Sequence, residues 1–229
     1  MVKNVKVCWS PLDRQPLVNS LKKPGKRVLA FLQARRTSTR LPDKIYKDLN
    51  GAPVLYHAIN RAKVAGLVDD VIIVSPHELP DVPEGVDCFV WREGSESDVL
   101  GRFHAAANLY KPDYVVRLTA DCPLLDPHLI DYVVDHAKGF DYCSNVLVPT
   151  FPDGVDVEVV PVETLTLLNK VVTNPYHREH VFTMLRGMMP DPKPFKFCSV
   201  ESAIDYSHIK ISVDTKEDLE KVRALEPEL

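Results

Sequence analysis

A three-layer α/β/α sandwich with a mostly parallel sheet is the fold class this sequence predicts, and two observations predict it. Apolar runs such as Val28-Leu29-Ala30-Phe31-Leu32 and Val71-Ile72-Ile73-Val74 show no polar alternation, as expected of strands buried on both faces. Between such runs, apolar residues recur at helical spacing, so strand and helix alternate along the chain.

Val28–Leu32 reads as the first core strand. Pro53 suits a helix N1 position, and Val54, Leu55, Ala58, Ile59 and Ala62 then mark one helical face. Val71–Val74 is the next strand, followed by a proline-rich loop over 76–87 and a short strand at Cys88–Trp91. Ser95 or Ser97 is placed to cap a helix carrying Val99, Leu100, Phe103 and Ala107. Tyr114–Leu118 is a strand, and Asp126-Pro127 opens a helix with Leu129, Ile130, Val133 and Val134 on its core face. The second half is less regular. Tyr142–Val146, Phe195–Val200 and Ile209–Val213 read as strands, and Glu163–Val172 and Arg178–Met188 as helices. Val155, Val157 and Val159 alternate with Asp156 and Glu158, which suggests a strand with one polar face. Thr215 and Asp218 form a capping-box pattern before a last helix.

Residues 1–25 are polar, hold Pro11, Pro16 and Pro24, and read as an irregular N-terminal extension, with Val5–Trp9 as a candidate edge strand. Residues 26–229 make one domain, with an irregular insert near 140–200. A formal net charge of −4 argues against a surface that coats nucleic acid. No apolar run is long enough to span a bilayer, so no membrane partner is expected. The five cysteines are widely spaced without a CxxC pair, which points to reduced thiols and a cytoplasmic setting.

Chemistry concentrates just past the strands. Arg35-Arg36-Thr37-Ser38-Thr39-Arg40-Leu41-Pro42-Asp43-Lys44 carries four cations and three hydroxyls immediately after the first core strand. Arginine forks, lysine point charges and hydroxyl donors suit phosphate oxygens, and ligands of open α/β sheets gather at that end of the strands. Asp121 lies just past Leu118, where a carboxylate near phosphate-binding cations invites Mg²⁺; the alternative is a turn aspartate bonded to backbone. Asp214 stands at a second strand-to-helix junction, as an opposing metal ligand or as a carboxylate favoured by the helix dipole. Asp156 and Glu158 either meet an acceptor's hydroxyls or amine, or face water. His177 and His180 are general-base candidates by residue type alone.

Six segments together resemble the spore-coat polysaccharide cytidylyltransferase family, which is related to the 3-deoxy-manno-octulosonate and acylneuraminate cytidylyltransferases. They are Phe31–Lys44, Trp91–Arg102, Arg117–Pro127, Phe151–Val159, Arg178–Val181 and Val213–Leu219. The resemblance implies a nucleotidyltransferase fold of the glycosyltransferase-A-like type. It implies that CTP and a small acidic-sugar or phosphorylated acceptor give a CMP- or CDP-activated glycan precursor plus pyrophosphate. It implies that Gln33, Ala34, Arg35, Thr37, Ser38 and Thr119 bind the nucleotide, with Arg92 and Gly94 near the nucleoside. Arg40 and Lys44 would stabilise the departing pyrophosphate, Asp121 and Asp214 would hold Mg²⁺, and Asp156, Glu158, Arg178 and Glu179 would face the acceptor. A homodimer joined through the insert is also implied.

Two residues depart from the family pattern. Thr37 stands where glycine usually precedes Ser-Thr-Arg, and Asp43 stands where Pro-Gly-Lys is usual. Threonine resists the backbone freedom of glycine, and Asp43 adds negative charge beside the phosphates. Two other readings remain. A glycosyltransferase on the same fold typically carries Asp-x-Asp at a strand end, whereas Asp121 is followed by Cys122-Pro123. A catalytically weak nucleotide-binding subunit is the other, motivated by Thr37 and Asp43.

Overall fold

The structure is a computed structural model that describes residues 5–9, 25–188 and 194–225. Of the N-terminal extension, the stretch 10–24 lies outside the described residues. The candidate edge strand is present as β1 (Val5–Trp9).

Strands β2 (Val28–Gln33), β5 (Asp70–Ser75), β6 (Asp87–Val90), β7 (Tyr114–Thr119), β8 (Tyr142–Ser144), β9 (Glu158–Pro161) and β10 (Phe197–Ser202) join β1 in one eight-stranded sheet. Its order is β1-β10-β8-β9-β7-β2-β5-β6. Only β9 runs antiparallel, to both β7 and β8. Two short strands, β3 (Asp48–Leu49) and β4 (Ala52–Pro53), form a separate hairpin.

The central strands are apolar throughout because each face packs on helices. Along β2, Val28, Ala30 and Leu32 meet α1 (Val54–Val64) and α3 (Pro127–His136), while Leu29 and Phe31 meet α2 (Val99–Tyr110) and α4 (Val162–Val171). That alternation produces the three layers. A smaller cluster seats α7 (Lys216–Leu225) through Leu219 and Val222 against Leu49, Val54 and Val213.

Several boundaries differ from the sequence reading. Pro53 precedes α1 as its N-cap, so Val54 is the first helical residue. Asp98, not a serine, caps α2, its side chain accepting from Gly101 N at 3.0 Å. The segment 178–188 breaks between α5 (Pro175–Glu179) and α6 (Thr183–Gly187), with Val181 at φ 39°. Ile209–Val213 is not a sheet strand; it is tied to the 151–155 loop through Asp153, which forms an isolated bridge with Lys210. The expected polar face at 155–159 is internal. Glu158 is Arg117's direct cross-strand partner and lies fully buried, so the period-two polar residues answer a charge inside the sheet. The capping box forms as expected, Asp218 N donating to Thr215 Oγ1 at 3.2 Å and Thr215 N to Asp218 Oδ2 at 3.0 Å.

Candidate active site

The parallel register of β2 and β7 brings Gln33 opposite Thr119, so the loops that follow both strands open on the same sheet edge. A cavity of about 290 Å³ lies there. Of the residues nominated from sequence, Gln33, Arg35, Ser38, Arg40, Lys44, Thr119, Asp121 and Asp214 line it.

At its floor two carboxylates converge on one ammonium. Lys44 Nζ donates to Asp121 Oδ2 at 2.5 Å and to Asp214 Oδ1 at 2.8 Å. Asp214, although not on a strand, is brought there by Val213 N donating to the carbonyl of Asp121 at 2.8 Å. Its second oxygen accepts from Lys210 Nζ at 3.0 Å, and Arg40 Nη2 lies 2.9 Å from Oδ1. Burial opposes ionisation of Asp214, yet hydrogen bonds and charge from Lys44 and Lys210 hold its pKa down at about 2. Burial likewise disfavours charge on Lys44, but Asp121 and Asp214 outweigh it and raise its pKa.

The two departures are accommodated locally. Asp43 adopts the left-handed conformation, φ 50° and ψ 36°, that glycine supplies at no cost and that aspartate tolerates better than most residues. Its carboxylate accepts from Arg36 Nε at 3.0 Å and is thereby neutralised. Thr37 keeps a negative φ, so no glycine is needed, and its hydroxyl donates to Glu96.

The remaining nominated residues stand elsewhere. Ala34 is buried in the core and continues the β2–β5 pairing through its N–H to Val74 O at 3.2 Å. Arg92 pairs with Glu78 on the surface. Gly94 lies so close to the Trp91 indole that any Cβ would collide with the ring, which lets the 92–97 loop fold over it. Glu158 accepts from Arg117 and from Tyr142 Oη, the latter at 2.5 Å, and is not open to an acceptor. Asp156 lies nearby, and burial followed by the charge of Glu158 lifts its pKa to about 6. Arg178 is an internal clamp, donating to Asp98 Oδ1 at 2.8 Å and Oδ2 at 3.1 Å, and to the Val172 carbonyl at 2.8 Å. Glu179 reaches Arg35 at 3.6 Å. His177 is engaged by Thr183 Oγ1 at 2.8 Å, whereas His180 lines the cavity.

Arg117 and Lys210 escaped the sequence reading. Arg117 lines the cavity and donates to Gln33 Oε1 from Nε at 3.1 Å and from Nη2 at 2.9 Å. A lone arginine inside an apolar strand, Val115-Val116-Arg117-Leu118, was the available signal. Lys210 had none, because its role depends on Asp214 and Asp218 meeting in space.

Among the described residues no cluster of three or more His, Cys, Asp or Glu could hold a metal by itself. The pair Asp121 and Asp214 nonetheless fits Mg²⁺, which takes one or two carboxylates together with phosphate oxygens and waters. No helix among the described residues is long and apolar enough to cross a membrane.

A mostly parallel sheet with a cation-lined crevice at the ends of its central strands is the architecture of an α/β nucleotidyltransferase-like protein. The cytidylyltransferase family model matches residues 29–226, and the chain belongs to that family of nucleotidyl-transferring enzymes. The spore coat polysaccharide biosynthesis protein SpsF of Bacillus subtilis is 30% identical over 213 residues, covering 86% of this chain and 85% of its own. A 3-deoxy-manno-octulosonate cytidylyltransferase of Anaeromyxobacter sp. is 27% identical over 205 residues, covering 88% of this chain and 78% of its own. A cytidylyltransferase structure from Leptospira borgpetersenii superposes with a TM-score of 0.80 at 30% identity, over 89% of this chain and 88% of that one.

Proposed function

We propose that this enzyme transfers CMP from CTP to a small acidic-sugar or phosphorylated acceptor, releasing pyrophosphate and giving an activated precursor for surface glycan synthesis. The observation that carries the reading is the convergence of Asp121 and Asp214 on Lys44 in a crevice flanked by Arg35, Arg40 and Arg117. The relatives named for spore coat polysaccharide and 3-deoxy-manno-octulosonate support the acceptor class.

In this reading an acceptor oxygen attacks the α-phosphorus, the bond from that phosphorus to the bridging oxygen breaks, and pyrophosphate departs in line. Asp121 and Asp214 would hold Mg²⁺, which supplies Lewis-acid stabilisation of phosphate charge. Arg40 and Lys44 neutralise the departing pyrophosphate. Arg117, held by Gln33 and Glu158, lines the same crevice and would add a fixed guanidinium to it.

Thermal-shift titration with CTP, UTP, ATP and GTP, each with and without Mg²⁺, tests the donor. A native-state ligand at a hundred times its dissociation constant adds about 2.7 kcal/mol. Selective stabilisation by CTP is expected, followed by pyrophosphate release with acidic sugars or sugar phosphates. Preference for another nucleotide overturns the CTP assignment, and CTP binding without pyrophosphate release across the acceptor panel overturns the transfer.

A further inference from the structure

We infer that in the nucleotide-free enzyme Lys44 acts as an internal counter-ion holding the metal's place between Asp121 and Asp214, so that nucleotide must draw it away before a divalent cation binds. The inference deepens the proposed function and rests on its assignment of Asp121 and Asp214 as the metal-binding pair.

Three observations carry it. First, Lys44 is only 8% exposed, and its ammonium contacts one oxygen of each carboxylate, at 2.5 and 2.8 Å. A cation set between Asp121 and Asp214 competes with that ammonium for Asp214 Oδ1, and like charges cannot share the position.

Second, the other side of Asp214 is already committed. Lys210 Nζ holds Asp214 Oδ2 at 3.0 Å and Asp218 Oδ2 at 2.6 Å. Asp218 in turn accepts from the N–H groups of Asp214 and Thr215 at the start of α7, at 3.1 and 3.0 Å. Lys210 is therefore anchored to a helix terminus and stays put, leaving Oδ1 as the oxygen that changes partners.

Third, Lys44 has somewhere else to go. It lines the same cavity as Arg35, Arg40 and Arg117, so a triphosphate bound there places several negative oxygens beside it. A lysine is a point charge on a flexible stem and can exchange carboxylate for phosphate by rotamer change alone. Arg40, whose side chain is 63% exposed, is free to make the same exchange from Asp214 Oδ1.

Cation and nucleotide are then coupled through this chain's own residue, in addition to any direct contact between them. The coupling is reciprocal: whatever factor nucleotide adds to cation affinity, cation adds to nucleotide affinity.

Mn²⁺ alone, without nucleotide, is the probe, with free Mn²⁺ read by electron paramagnetic resonance. The wild-type enzyme is expected to bind it weakly. K44Q, which removes the charge, is expected to bind it about 5- to 150-fold more tightly, the usual span of such couplings. K44R, which keeps the charge, should bind as weakly as wild type. The double variant K44Q/D121N should lose the gain, which locates the ion between the carboxylates. If K44Q shows no melting transition, K44M replaces it. Wild type binding Mn²⁺ alone as tightly as K44Q overturns the inference. If CTP fails to stabilise wild type in any metal condition, the cytidylyl-transfer reading itself falls, and this inference with it.

Discussion

Glu158 is the most informative residue to remove. It is 1% exposed, with Arg117 and Tyr142 as hydrogen-bond partners and Arg186 Nε 3.6 Å away. Burial pushes its pKa up, but the two arginines and the Tyr142 hydroxyl prevail and hold it below the usual glutamate value. Glu158→Ala leaves Arg117 without its counter-ion inside the sheet and Tyr142 Oη without an acceptor. Breaking a buried pair by deleting one partner costs about 3–5 kcal/mol. For a chain of this length that corresponds to a melting point lowered by about 6–20 °C. The double variant R117M/E158M, which removes both charges at similar volume, should recover most of the loss. Because the folded pKa is depressed, the stability Glu158 contributes is fully present above the ordinary glutamate pKa and is lost only as pH falls below it through the lower folded value, so the difference between wild type and Glu158→Ala should shrink as pH drops below about 4. Calorimetry at pH 7 and at a series of values below about pH 4 measures both effects. A Glu158→Ala protein that melts within about 2 °C of wild type at pH 7, while its acceptor KM rises, would refute the reasoning and return Glu158 to the acceptor site.

Asp156 and Gly154 test the same region from the other side. The pKa of Asp156 is raised to about 6, so its charged form strains the fold above that pH; Asp156→Asn should be more stable than wild type at pH 8 by on the order of 1–3 kcal/mol, with the gain vanishing below about pH 4 in denaturant titrations. Gly154 sits at φ 121°, where a Cβ would lie 2.6 Å from Ser212 N and 2.8 Å from Ile211 C, so Gly154→Ala should cost about 1–3 kcal/mol. The displaced 209–213 segment leads directly to Asp214, so pyrophosphate release should fall further than stability alone explains; equal activity per folded molecule would sever that link.

Much of this fold was legible because its signals are local. Val28–Leu32 and Val71–Val74 announce double-sided burial by their composition, and α1 and α3 announce themselves by spacing. The cation-rich loop that lines the crevice is legible for the same reason: Arg35, Arg36, Arg40 and Lys44 fall within ten residues of one another. What failed depends on distant partners. The period-two pattern at 155–159 suggests one polar face, but the partner of Glu158 is Arg117, 41 residues earlier, which balances its charge inside the sheet. The resemblance places Arg178 toward an acceptor, whereas in the fold the Asp98 carboxylate, 80 residues away in sequence, holds its guanidinium. Ile209–Val213 is as apolar as a strand, yet its hydrogen bonds go to Asp153 and Asp121 in place of a sheet neighbour. Serine propensity likewise favoured Ser95 or Ser97 as the α2 cap, while the same Arg178 clamp fixes Asp98 there.

The two departures from the family pattern show how a site tolerates substitution without surrendering charge balance. A carboxylate beside a phosphate loop is unfavourable only while it is unpaired, and Asp43 is paired: Arg36 turns toward it and away from the crevice. The exchange withdraws one cation and one anion together, so the crevice keeps Arg35, Arg40, Lys44 and Arg117 against Asp121 and Asp214. The left-handed backbone at Asp43 still turns Lys44 inward, which is the geometric task a glycine there would perform. Thr37, with its negative φ, asks nothing unusual of the backbone and spends its hydroxyl on Glu96 of the 92–97 loop. That bond ties the cation-rich loop after β2 to the 92–97 loop, a cross-link that a glycine at position 37 could not make. The reading as a weak-binding subunit rests on Asp43 and Thr37 leaving uncompensated charge or strain, and their bonds to Arg36 and Glu96 count against that premise.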